Sequence, residues 1–183
     1  MHLTAPLDIM PNIPMFEQHP GSFGFKRTHD IHTGVDLYSP YGSPVKVMED
    51  GIIIKIDWFT GEKIGMPWWE NTQAVYIQGK VGVFCYGEIK VDSYLKVGDV
   101  IEQGNYFGHV VNVLKKFKGR PMSMLHIELY EHNHTDTWDA WKIGEPKPEY
   151  LRDPTRYLLL LGQGTAIDPY KTSNLIYGHG GIS

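Results

Sequence analysis

His32-Thr33-Gly34-Val35-Asp36-Leu37-Tyr38 is the stretch on which the reading of the fold turns. Val35 and Leu37 alternate with more polar neighbours, the period of a half-buried β-strand, and Gly34 permits a tight approach at its start. Ser39-Pro40-Tyr41-Gly42 then closes the strand with turn chemistry. A histidine and a carboxylate four residues apart, with the glycine between them, also read as a pair of metal ligands.

Outward from this stretch the pattern stays β. Val45-Lys46-Val47-Met48 alternates, Glu49-Asp50-Gly51 turns, and Ile52 to Trp58 is a long β-branched run. Thr60 to Thr72, holding Gly61, Gly65, Pro67, Trp68 and Trp69, is a loop, and loops of that length tend to have a use. Ala74–Gln78 and Val81–Tyr86 make a hairpin through Gly79-Lys80. His109–Leu114 and Leu125–Tyr130 are further strands. One short C-terminal helix is expected from Asp153 to Leu161, with Asp153 as N-cap, Pro154 at the first helical position and glycines 162 and 164 as the stop. Many short strands with frequent turn glycines imply an all-β sandwich or barrel.

The chain has 183 residues, 42% hydrophobic and 21% charged, which suits one domain with a full core. Residues 1–24 hold Pro6, Pro11, Pro14 and Pro20 and read as an irregular arm. Residues 25–161 form the domain, and residues 162–183 a polar, glycine-rich tail. No apolar run is long enough to span a membrane. The N-terminus lacks the basic and apolar regions of a secretory signal, so the expected setting is internal, or a product that leaves by lysis or in a virion. A net charge of −4 argues against nucleic acid as partner. Nothing in the chain sets an oligomeric state.

Cys85 is the one cysteine, so a metal would have to use His, Asp or Glu, and nine histidines make that feasible. Far downstream lies Met124-Leu125-His126-Ile127-Glu128, in which alternate residues share a strand face. His126 would then face a metal with Glu128 beside it, and by the same rule Tyr86 and Glu88 share a face. His32, Asp36 and His126 would leave the fourth vertex of a zinc tetrahedron open.

The ordered set of His-Thr-Gly-Val-Asp, the hairpin, Val97-Gly98-Asp99-Val100-Ile101-Glu102-Gln103-Gly104 and Leu125-His126-Ile127-Glu128 resembles the lysostaphin-like (LytM-type) zinc endopeptidases. The resemblance runs over residues 25 to 160. It implies a two-sheet β fold with a groove over the metal, one zinc ion per chain on His32, Asp36 and His126, and a peptidoglycan stem or cross-bridge peptide as substrate. It also implies two catalytic histidines that this chain does not have. Met124 stands two residues before the third ligand, and Tyr86-Gly87-Glu88 stands where the family has Tyr-x-His. Methionine moves no proton and donates no useful hydrogen bond. Glu88, by contrast, is a competent general base beside a metal-activated water.

Two readings follow: an active endopeptidase with Glu88 as base, or a catalytically inactive zinc-binding module used for recognition or virion assembly. Carrier-domain and phosphotransfer readings rank below both: a carrier needs a lysine on a tight exposed hairpin turn flanked by hydrophobes, which the chain does not offer, and phosphotransfer does not need the Leu-His-Ile-Glu element. Glu128 is expected to orient a ligand histidine, and Tyr86, His29, Met124, Trp68 and Trp69 to stand around the groove.

Overall fold

A computed structural model describes residues 2–15, 18–134 and 141–162. Nine strands follow one another: β1 (Val35–Tyr38), β2 (Pro44–Lys46), β3 (Gly51–Thr60), β4 (Thr72–Gln78), β5 (Val83–Val91), β6 (Val100–Ile101), β7 (Tyr106–Val110), β8 (Met124–Tyr130) and β9 (Leu151–Arg152). One helix, α1 (Thr155–Leu161), closes the described chain. All strand pairs are antiparallel, in the order β1-β8-β5-β4-β3-β6, with β9 beside β8 and a β2–β7 ribbon attached to β5. The architecture is all-β with a short C-terminal helix, and its two layers are parts of one branched sheet.

Period-2 alternation decides what each face does. Val35, Leu37, Val75, Ile77, Phe84, Leu125, Ile127 and Leu129 point from the large layer into one core, met by Val45, Val47, Phe107 and Val110 from the ribbon side. Each such side chain contributes roughly 1.5–3 kcal/mol by leaving water. The opposite face carries Ala74, Tyr76, Val83, Cys85 and Tyr130, and beside them Asp36, His126 and Glu128. Among the described residues no helix is long and apolar enough to cross a membrane.

The predicted hairpin is present, with a connection of Gly79 to Gly82 closed by the Gly79 N–H donating to the Gly82 carbonyl at 2.9 Å. Glu49, read as a turn residue, is buried and accepts the N–H groups of Lys80 and Val81, both at 3.0 Å. The helix begins one position later than expected, at Thr155 with Pro154 as its N-cap; Asp153 Oδ1 still accepts the Thr155 N–H at 2.8 Å, and the Gly162 N–H returns to the Leu158 carbonyl. Residues 163–183 of the expected tail lie outside the described residues.

The N-terminal arm packs across the domain. Leu7 pairs with Val45 in an isolated bridge, the Lys46 N–H donates to the Pro6 carbonyl, and Leu7 and Ile13 join the core. Its far end backs the site, where the Gly21 carbonyl accepts the Asp36 N–H at 2.8 Å.

Strand β5 departs from simple alternation. Val83–Gly87 pair with β8, whereas Ile89–Val91 pair with β7. Opposite β4, Gly87 and Glu88 stand against the single residue Ala74, so the strand carries a bulge. Glu88 sits at φ 62°, an uncommon conformation for a residue with a side chain. The extra residue returns Ile89 to the core beside Tyr86 and turns Glu88 to the opposite side. The expectation that Tyr86 and Glu88 share a face is therefore corrected. Tyr86 is no groove residue either: it is fully buried in the core, and its hydroxyl accepts the Met48 N–H at 3.0 Å.

Candidate metal centre

Register alone brings two of the expected ligands together, because Asp36 of β1 lies directly opposite His126 of β8. His32 arrives from the segment before β1, and the chain between must pass close over the His126 ring. A Cβ on Gly34 would lie 2.7 Å from His126 Nε2 and 2.5 Å from the Ile127 carbonyl, so only glycine fits there.

Three atoms converge. His126 Nδ1 lies 2.9 Å from Asp36 Oδ1, His32 Nε2 lies 3.2 Å from the same oxygen, and the two ring nitrogens are 3.2 Å apart. All three residues are buried. Ligands on a tetrahedral zinc at about 2.0–2.1 Å stand about 3.3 Å from one another, so the three separations fit that ion.

The other ring nitrogens are committed elsewhere. The His32 Nδ1–H donates to the Ser22 carbonyl at 2.8 Å, which leaves Nε2 with its lone pair toward Asp36. The His126 Nε2–H donates to Glu128 Oε1 at 3.1 Å, which turns Nδ1 inward. Glu128 is itself fixed, accepting from the Thr33 hydroxyl and, at 2.6 Å, from the Tyr130 hydroxyl. A carboxylate behind a ligand histidine sets its tautomer and raises its basicity.

The electrostatics ask for a cation. Burial lowers the proton affinity of His32, although Asp36 opposes it. Burial would also lower His126, but its hydrogen bonds to Asp36 and Glu128 outweigh that and raise it to about 10. Burial pushes both of those carboxyls up, yet the histidines hold Asp36 well below the usual range and His126 brings Glu128 down to about 2. Glu88 goes the other way: burial first, then the charge of Asp36, raises it to about 8. Its Oε2 is buried and makes no hydrogen bond among the described residues. That oxygen is withdrawn from water without a hydrogen bond, a cost that a nearby dication would offset.

His32, His126 and Glu88 line a cleft of about 680 Å³ together with Trp68, Trp69 and Phe59. His29 is exposed along the same cleft, and Trp68 is 64% exposed at its rim. Met124 lies on the His126 face of β8 opposite Tyr38, is buried, and is not among the cleft-lining residues. Sequence reading missed Phe59, whose ring sits 5.3 Å from that of His126, and also Arg27, Tyr130 and Trp141 of the cleft wall. Thr33 was missed as well, although it stands inside the motif and holds Glu128.

No family model and no curated protein sequence matches this chain. Solved structures do resemble it. The cbpa of L. salivarius REN is 16% identical, with 88% of this chain and 97% of that one covered and a TM-score of 0.56. Lysostaphin is 20% identical over 76% of this chain and 47% of its own, with a TM-score of 0.50. Helicobacter pylori Csd3 is 20% identical over 72% and 30%, with a TM-score of 0.49. The chain thus spans less than half the length of the lysostaphin and Csd3 chains. In its antiparallel sheet of nine strands the chain shares the fold of lysostaphin and of the L. salivarius cbpa.

Proposed function

We propose that this chain is a zinc-dependent endopeptidase that cuts peptide cross-links of bacterial peptidoglycan, with Glu88 as the proton-transferring group. The observation that carries the reading is the triangle of His32 Nε2, Asp36 Oδ1 and His126 Nδ1, two of whose residues share a cleft with Glu88. The sequence resemblance supports the choice of substrate, and the lysostaphin-like fold agrees with it.

A zinc ion held by these three side chains would supply Lewis acidity. The rest falls to the chain. Glu88 takes a proton from the attacking water and returns it to the departing amine nitrogen. Glu128, held by Thr33 and Tyr130, keeps the His126 ring in place. Trp68, Trp69 and Phe59 give an extended peptide flat apolar walls to lie against. Met124 offers no hydrogen bond to charge developing on the scissile carbonyl.

That same methionine favours the second reading, a zinc-binding recognition or assembly module without turnover. Zymography on purified peptidoglycan with added zinc separates the two. Clearing by the wild type and none by Glu88→Gln is the expected result. Equal clearing by both removes Glu88 from the mechanism, and clearing by neither, with zinc bound, selects the inactive module.

A further inference from the structure

The connection from β7 to β8 carries Lys115-Lys116-Phe117-Lys118-Gly119-Arg120, four cations in six residues of a chain whose net charge is −4. No acidic residue occurs between Glu102 and Glu128 to balance them. All six are exposed, Phe117 to 74%. Among the described residues none of the four cations forms an ion pair or a side-chain hydrogen bond. Charges so close together repel one another, and no ion pair among the described residues offsets that.

The tip is also held in place. At its base the Val113 N–H donates to the Met122 carbonyl at 2.7 Å, and Asn112 pairs with Ser123. Leu114 pairs with Trp69, and the Glu70 N–H donates to the Val113 carbonyl at 2.9 Å. The basic tip is thereby tied to the tryptophan loop that walls the cleft. A cation cluster on a braced hairpin loses little freedom when it meets a polyanion.

We propose that residues 115–120 are a binding site for a phosphodiester polymer of the bacterial wall, which holds the cleft against the wall peptide. The choice of partner rests on the endopeptidase reading. Repeating phosphates match a row of unpaired lysine and arginine heads. A bilayer is the weaker match, because one phenylalanine among four cations offers little apolar surface to bury in lipid.

The test is co-sedimentation of the full chain with purified walls, either intact or stripped of their phosphodiester polymer. The wild type should bind intact walls, and binding should weaken about tenfold or more on stripped walls. The variant Lys115→Gln, Lys116→Gln, Lys118→Gln, Arg120→Gln should bind intact walls about tenfold or more weakly, as should the wild type in about 0.5 M salt. Its turnover of a small soluble cross-bridge peptide should match that of the wild type. Glu88→Gln should sediment as the wild type does, so binding stands or falls apart from catalysis. Absent binding, equal binding to stripped walls, equal binding by the charge variant, or binding to phosphatidylglycerol vesicles in place of walls would each overturn the assignment.

Discussion

The two faces of β8 obey the same alternation and do opposite things. Leu125, Ile127 and Leu129 point into the apolar core, while the other face buries His126 and Glu128, with Met124 and Tyr130 at either end. The apolar face is stabilised by area, and one hydrocarbon can stand in for another at modest cost. The polar face is stabilised only while every hydrogen bond is made and every charge met, so it tolerates no single loss. The contrast separates what holds this domain together from what gives it a use.

His126→Ala should break the comparison hardest. It leaves Asp36 and Glu128 buried without the ring between them, and removing one partner of such a set costs about 3–5 kcal/mol. Zinc binding should vanish with it. Denaturant unfolding and metal stoichiometry by elemental analysis read the two effects. Wild type with zinc at about a hundred times its Kd should gain about 2.7 kcal/mol in stability, and the variant nothing.

Leu125→Ala, one residue away on the other face, should cost about 2–5 kcal/mol and leave one zinc per chain. Loss of zinc by this variant while still folded would show that the two faces are not separable.

A third test is the pH dependence of protein stripped with a chelator. The proton affinity of Glu88 is raised above that of the unfolded chain, so its contribution is fully present below about 4.5 and is lost as pH rises through about 8. Glu128 is lowered, so its contribution is present above the usual carboxylate range and is lost as pH falls toward about 2. Glu88→Gln should therefore flatten the decline between pH 4.5 and 6.5, below the range in which His126, raised to about 10, loses its own contribution, and leave the acid limb unchanged, as urea melts across that range would show. A decline that survives the substitution would remove Glu88 as its source.

The smallest effect is expected at the rim. Trp68→Ala should alter stability by less than about 0.5 kcal/mol, since Trp68 is 64% exposed, while raising the KM for a cross-bridge peptide.

Much of this was legible in the chain because the signals were local. The period of β1 and β8, the turn glycines and the Asp153 hydrogen bond at the helix start each act over a few residues, and the ligand set follows once β1 and β8 pair in register. The bulge at Glu88 was not legible, because alternation assumes one residue per step and a left-handed residue inserts an extra one. The core role of Leu7 and Ile13 was hidden by their irregular, proline-rich surroundings. Trp141 and Phe59 reach the cleft by folding distance, for which no motif exists. Asn12, Glu17 and His19 of the arm invite the thought of extra ligands. Glu17 lies outside the described residues, and Asn12 is not a cleft-lining residue. His19 is buried beside Tyr38, and its Nδ1 accepts the Gly21 N–H at 3.0 Å.

The left-handed residue in β5 sits where that strand exchanges one neighbour for another. Fold and cleft therefore share a pivot: the extra residue that lets the strand change partners also presents a carboxyl to the groove. Deleting one residue there should restore plain alternation and turn that carboxyl away from the cleft.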